Sequence, residues 1–129
     1  MSGCSILIVE DNAEFRQILS GFLKHQEINF LVFEVGSAEE AIEKSKIIKP
    51  QIVLMDIRLP AMNGIEASYR LKEISPDSII IVLTMFEKEE FKKVHCNGVI
   101  KAVLGKSELF EHLMPVIRKA LQETGDKRR

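Results

Sequence analysis

Two cysteines, Cys4 and Cys96, are too few in 129 residues for a disulfide framework, and they read as reduced thiols of a cytosolic protein. No apolar run approaches the roughly 18–20 residues that span a bilayer. The N-terminal Met1-Ser-Gly-Cys-Ser5 has neither a basic region nor a cleavage site, so no signal peptide is expected. The expected compartment is therefore the cytoplasm. Charge of one sign is missing as well. A net charge of −1 gives no electrostatic reason to expect nucleic acid as a partner, and no membrane partner is expected either. Repeats and low-complexity tracts are absent, and nothing reads as a linker before Thr124-Gly125. What remains is 46% apolar and 29% charged, the balance of one globular domain with one core. Residues 1–124 are taken as that domain and residues 125–129 as a tail or truncated linker.

Five short apolar runs alternate with helical patterns. The runs are Ile6–Val9, Ile28–Val35, Ile52–Met55, Ile79–Leu83 and Val99–Leu104. Three are nearly pure Ile, Val, Leu and Met, as in parallel strands covered on both faces. Asn29 and Glu34 interrupt the second run and Lys101 the fifth, which marks those two as sheet edges. Phe15, Ile18, Leu19, Phe22 and Leu23 form one helical stripe. Ser37-Ala-Glu-Glu40 is a capping box that starts a second helix. A third helix begins near Gly64 and stops at Ser75-Pro76-Asp77. A fourth, Glu87–Asn97, ends at Gly98 and has a thin apolar face of Phe91 and Val94, so it is expected to be the most weakly held. The fifth, about Ser107 to Gln122, turns Leu109, Phe110, Leu113, Met114, Ile117 and Leu121 inward and is expected to kink at Pro115. The pattern is βα repeated five times, which predicts a parallel sheet wound on both faces with right-handed crossovers.

In such a sheet, ligands bind beyond the carboxyl ends of the strands. The residues found there are Glu10 and Asp11 after the first run, Asp56 after the third, Thr84 after the fourth and Lys106 after the fifth. Three carboxylates and one ammonium leave a formal charge of about −2, which a divalent cation cancels. With only oxygen ligands on offer, Mg²⁺ fits better than zinc. A metal-bridged Asp56 can then act as nucleophile toward a phosphoryl group, with Lys106 and the Thr84 hydroxyl on the phosphoryl oxygens. His25, His95 and His112 have no carboxylate or cysteine at ligand spacing and read as surface or partly buried side chains.

The same residues carry a family resemblance that runs across essentially the whole chain. The sequence resembles the response-regulator receiver domains of bacterial two-component signalling. Asp56-Ile-Arg-Leu-Pro-Ala-Met-Asn-Gly-Ile-Glu66 is similar to receivers that precede LuxR-type DNA-binding domains. The resemblance implies a flavodoxin-like (βα)5 fold with strand order 2-1-3-4-5. It implies Asp56 as phosphoacceptor, Asp11 as a direct Mg²⁺ ligand, Glu10 acting through water, and the Arg58 carbonyl on the metal. Thr84 and Lys106 match the switch hydroxyl and the lysine. The implied partners are a histidine kinase as phosphodonor, a downstream protein or C-terminal output domain, and a phosphorylation-dependent homodimer. Such a receiver is a signalling protein that catalyses only its own phosphoryl transfer and dephosphorylation.

Four positions depart from the pattern. Met85 follows Thr84 where Ala or Gly is usual, which narrows phosphodonor access. Val103 stands where a switching aromatic is usual, and Ser107 follows Lys106 in place of Pro. Glu10 replaces the commoner Asp. Met85 and Val103 motivate a rival reading, a degenerate receiver that binds partners without being phosphorylated. A magnesium phosphatase ranks last, because the second acid expected two residues after the nucleophile is Arg58.

Overall fold

A computed structural model of the chain describes residues 3–85 and 98–127. Five strands, Cys4–Val9 (β1), Phe30–Val35 (β2), Ile52–Asp56 (β3), Ile79–Thr84 (β4) and Ile100–Gly105 (β5), form one sheet in the order β2-β1-β3-β4-β5. Every pairing is parallel. Three helices, Ala13–Lys24 (α1), Ala38–Ile48 (α2) and Gly64–Ile74 (α3), connect the first four strands. A short 3₁₀ turn, Lys106–Glu108, leads into the C-terminal helix, Leu109–Lys127. The expected fourth helix, Glu87–Asn97, lies outside the described residues, as do Cys96 and His95.

The starts of α1, α2 and α3 each have a local chemical cause. Asn12 Oδ1 accepts the Phe15 N–H at 2.8 Å, Ser37 Oγ accepts the Glu40 N–H at 3.2 Å, and Asn63 Oδ1 accepts the Glu66 N–H at 2.9 Å. Glu40 returns a bond to the Gly36 N–H at 3.0 Å, one residue before the reciprocal partner of a regular capping box. Lys49 ends α2 in the left-handed region at φ 43°, and Pro50 follows it.

Alternation along the strands divides the core in two. Ile6, Ile8, Ile52, Leu54, Ile81 and Leu83 face α1 and the C-terminal helix. Leu7, Val9, Val53, Met55, Ile80 and Val82 face α2 and α3. β3 and β4 are buried along their whole length, whereas β2 and β5 are not. The interrupted runs are thus the sheet edges, as expected. Two side chains depart from expectation: Ile18 is 54% exposed and Phe110 is 40% exposed, so neither belongs to the buried face of its helix. The C-terminal helix also continues past Gln122 to Lys127, and it runs through Pro115 without ending there. Pro115 is exposed, on the side where water can serve the carbonyl that lost its donor.

The end of the sheet away from the site is tied by a serine network. Buried Ser78 donates its hydroxyl to the Pro50 carbonyl and meets Ser75 Oγ at 2.6 Å, while Lys72 Nζ donates to the Ser78 carbonyl at 2.6 Å. Ser78→Ala leaves the buried Pro50 carbonyl without this donor and is expected to cost about 1–3 kcal/mol in urea denaturation.

Candidate functional site

β1, β3, β4 and β5 bring their carboxyl ends to one edge of the sheet. Asp56 is the last residue of β3, between β1 and β4, and is only 4% exposed. Its backbone pairs with Leu83, so Thr84, the last residue of β4, stands one step beyond it on the neighbouring strand. Glu10 follows β1 directly and is 1% exposed, while Asp11 is exposed. Glu10, Asp11 and Asp56 each offer a carboxylate oxygen, and the three oxygens lie within 4.8 Å of one another. Lys106, which follows β5, reaches across them. Its Nζ donates to Glu10 Oε1 at 2.5 Å and stands 3.5 Å from Asp56 Oδ2.

The acids are held from several sides. The Arg58 N–H donates to Asp56 Oδ1 at 3.3 Å, and the Asn12 N–H donates to Glu10 Oε2 at 3.0 Å. Arg16 Nη1 donates to the Glu10 carbonyl at 2.7 Å, and its Nε lies 3.4 Å from Glu34 on the edge strand. That arginine ties the end of β1 to β2. After Asp56 the chain folds back on itself. Ile57 N–H donates to the Leu83 carbonyl at 2.9 Å, and Gly64 N–H donates to the Ile57 carbonyl at 2.8 Å. Between them Met62 N–H bonds the Pro60 carbonyl at 2.7 Å around Ala61, whose φ is 68°. This is the rarer, left-handed form of γ-turn.

Gly64 is compulsory in that loop. A Cβ there would overlap the Asp56 carbonyl oxygen and lie 2.8 Å from Ile57 Cα and 2.9 Å from the Asp56 carbonyl carbon. All three are backbone atoms, which cannot swing aside as a side chain can.

Charge sets the two buried acids apart. Burial pushes the Asp56 carboxyl up to about 6, with the Glu10 charge adding to the rise and Lys106 opposing it. Glu10 also meets the penalty of burial. For it, the bond from Lys106 and the Asn12 N–H outweigh that penalty and hold it below the ordinary value. An all-oxygen set with one exposed acid suits a hard divalent cation, and Glu10, Asp11 and Asp56 fit Mg²⁺ on that chemistry.

The expected residues Glu10, Asp11, Asp56 and Lys106 are therefore neighbours, with Thr84 and the Arg58 backbone at the same sheet edge. Met85 is 75% exposed just past Thr84. Val103 packs toward the α2–α3 side of the core, and among the described residues no peptide bond is cis, including that between Lys106 and Ser107. Two contributors carry no signal in the sequence. Arg16 looks like one more charged helix residue until its bond to the Glu10 carbonyl is seen, and Gly64 looks only like a helix start.

A doubly wound parallel sheet with three acids, a hydroxyl and a lysine at its carboxyl edge defines a receiver-type α/β domain. Residues 6–118 match the family model of the response regulator receiver domain, and the chain belongs to that family. It is 32% identical over 118 residues to the transcriptional regulatory protein PdtaR of Mycobacterium tuberculosis, a match covering 90% of this chain and 56% of that protein. It is 30% identical over 118 residues to the response regulator protein VraR of Staphylococcus epidermidis, covering 91% of this chain and 56% of the relative. The chain thus spans about half the length of these two curated relatives. Among solved structures, a CheY-like receiver domain protein from Methanospirillum hungatei superposes with a TM-score of 0.84 at 23% identity, covering 98% of this chain and 99% of that one. At that identity the likeness shows the fold alone.

Proposed function

We propose that this domain is a phosphorylation-dependent signalling switch in which Asp56 accepts a phosphoryl group from a histidine kinase in a Mg²⁺-dependent reaction. The observation that carries the reading is the placement of Asp56. It is a buried carboxylate at the end of a central strand, with Lys106 at 3.5 Å and two further acids beside it. A carboxylate oxygen of Asp56 attacks phosphorus, the bond from phosphorus to the donor nitrogen breaks, and its electron pair leaves with the donor. The Arg58 N–H and Lys106 fix the two carboxylate oxygens in advance, so little reorganisation is needed. Lys106 neutralises one phosphoryl oxygen and the Thr84 hydroxyl donates to another. Asp11, Asp56 and the Arg58 carbonyl would hold Mg²⁺, with Glu10 acting through water, and the ion would supply the positive charge that lets two anions approach.

Later hydrolysis restores Asp56, and the domain turns over no other substrate. Output passes to a downstream protein or a further domain, a reading supported by relatives about twice as long, and a phosphorylation-dependent homodimer is one assembly it can use. Among the described residues no helix is long and apolar enough to cross a membrane. A cytoplasmic site of action belongs to the same proposal. The exposed Met85 beside Thr84 favours the rival, a binding module that is never phosphorylated.

Intact-mass analysis after incubation with acetyl phosphate and Mg²⁺ separates the two. The switch predicts a labile phosphoryl adduct that disappears with a chelator and in Asp56→Asn. No adduct from acetyl phosphate, nor from histidine kinases as donors, overturns the switch and makes the binding module the better reading.

A further inference from the structure

Lys106 has a neighbour besides the two carboxylates. Its Nζ lies 4.6 Å from the centroid of the Phe15 ring. Phe15 is the third residue of α1, three positions past the capping Asn12 and one turn from Glu10 and Asp11. The ring also has an aromatic neighbour. Its centroid is 6.5 Å from that of Phe110 on the C-terminal helix, and Phe110 meets Phe22 edge-on at 5.0 Å. The helix that carries Phe110 is the one that Lys106 leads into through a single 3₁₀ turn. Ammonium and ring are therefore both anchored to the same short piece of chain.

A lysine ammonium has three N–H donors, and here Glu10 and Asp56 stand nearest to it. The face of a phenyl ring attracts the ammonium without demanding one direction. A hydrogen-bond acceptor in the place of Phe15 would pin the ammonium at one point, whereas a ring holds it over an area. Lys106 can then turn from Glu10 toward a phosphoryl oxygen on Asp56 and keep its aromatic contact. An aliphatic side chain would exclude water from the same space but would attract nothing.

We infer that Phe15 is a positioning residue for phosphoryl transfer, its ring seating the Lys106 ammonium beside Asp56 while leaving it free to pivot onto the incoming phosphoryl group. The inference rests on the switch reading above.

Three variants test it: Phe15→Leu, Phe15→Tyr and Phe22→Leu. The measurements are the rate of adduct formation from acetyl phosphate at saturating Mg²⁺, the Mg²⁺ affinity by titration calorimetry, and the Lys106 Hε chemical shift by NMR. Phe15→Leu is expected to slow phosphorylation by about three- to thirtyfold, the rate equivalent of one lost cation–π contact. Phe15→Tyr keeps a ring and is expected to restore the rate. Phe22→Leu loosens the same aromatic cluster without touching Lys106, and is expected to stay near wild type. Mg²⁺ affinity is expected to be unchanged in all three. The upfield ring-current shift of Lys106 Hε is expected to vanish only in Phe15→Leu.

A wild-type rate in Phe15→Leu, or an equal loss in Phe15→Leu and Phe22→Leu, overturns the positioning role and leaves the switch standing. A wild-type protein that takes no phosphoryl group from acetyl phosphate or from a kinase overturns both.

Discussion

Gly64→Ala is expected to be the most damaging single-methyl change in the domain. Two effects oppose each other. Alanine is the better helix former by about 1 kcal/mol, and Gly64 is the first residue of α3, so propensity alone favours the substitution. Against that, the new methyl would meet three backbone atoms of Asp56 and Ile57 closer than real Cβ contacts come. Inserting a methyl into packed structure costs about 1–3 kcal/mol where side chains can shift, and more where backbone must move. The clash wins, with an expected net loss of about 3 kcal/mol in urea denaturation. The function suffers more than the fold, because the atom displaced is the carbonyl of the proposed nucleophile itself. A misplacement of about 1 Å can cost on the order of a hundredfold in rate, so adduct formation should fall by about that factor even where the variant remains folded. A variant with wild-type stability and rate would show that the loop adapts freely.

Asp56→Asn is expected to stabilise the metal-free protein while abolishing phosphorylation. The folded state raises the Asp56 carboxyl from 3.8 to about 6, burial being the main cause. Because the folded value is the higher one, the folded state holds this proton more tightly than the unfolded chain does. Stability from this group is fully present below about pH 4 and is lost as pH rises through about 6. Asparagine titrates nowhere in this range. Its advantage over aspartate should therefore be absent near pH 4, grow between 4 and 6, and level off above 6 at about 2–3 kcal/mol. Mg²⁺ offsets that advantage. A ligand at about a hundred times its Kd adds about 2.7 kcal/mol to the state it binds, so wild type should gain that stability at neutral pH. The variant, lacking one of the three carboxylates, should gain far less. Urea titrations of both proteins at pH 4 and pH 7.5, with and without Mg²⁺, check all four corners. Equal stability at pH 7.5 without metal would mean that Asp56 is not under the strain its surroundings imply.

The sequence shows the position of Asp56 readily and its surroundings poorly. Strand ends are legible because buried parallel strands are nearly pure Ile, Val, Leu and Met, so the first polar residue after each run stands out. The order of the strands is not legible that way, since any permutation of five such runs looks alike; family resemblance supplied it. The edges could be read from Glu34 and Lys101, whose charges a central strand would not tolerate. Ile18 and Phe110 misled because periodicity marks which face of a helix is apolar, while the neighbouring elements decide how much of that face is covered. Phe15 was hidden for a related reason: an aromatic in an apolar stripe looks like core until a lysine from the far end of the chain is placed above it. Nothing local to Gly64 announces that the carbonyl of Asp56 lies against it. That close approach exists only after the loop has closed.

The proposed chemistry is shared between elements of unequal permanence. Asp56 terminates a strand with neighbours on both sides, whereas Lys106 follows β5, an edge with one neighbour. Edges fray at lower free energy than sheet centres, and their amides exchange with solvent first. Warming or mild denaturant should therefore release the lysine while the carboxylates are still in place, leaving an acid cluster with no counter-charge. A phosphoryl group already on Asp56 would then lose one of its anchors long before the fold is lost. On the proposed chemistry the lifetime of the phosphoryl group would be tied to the opening of one border strand, and amide exchange along β5 is the clock to compare it with.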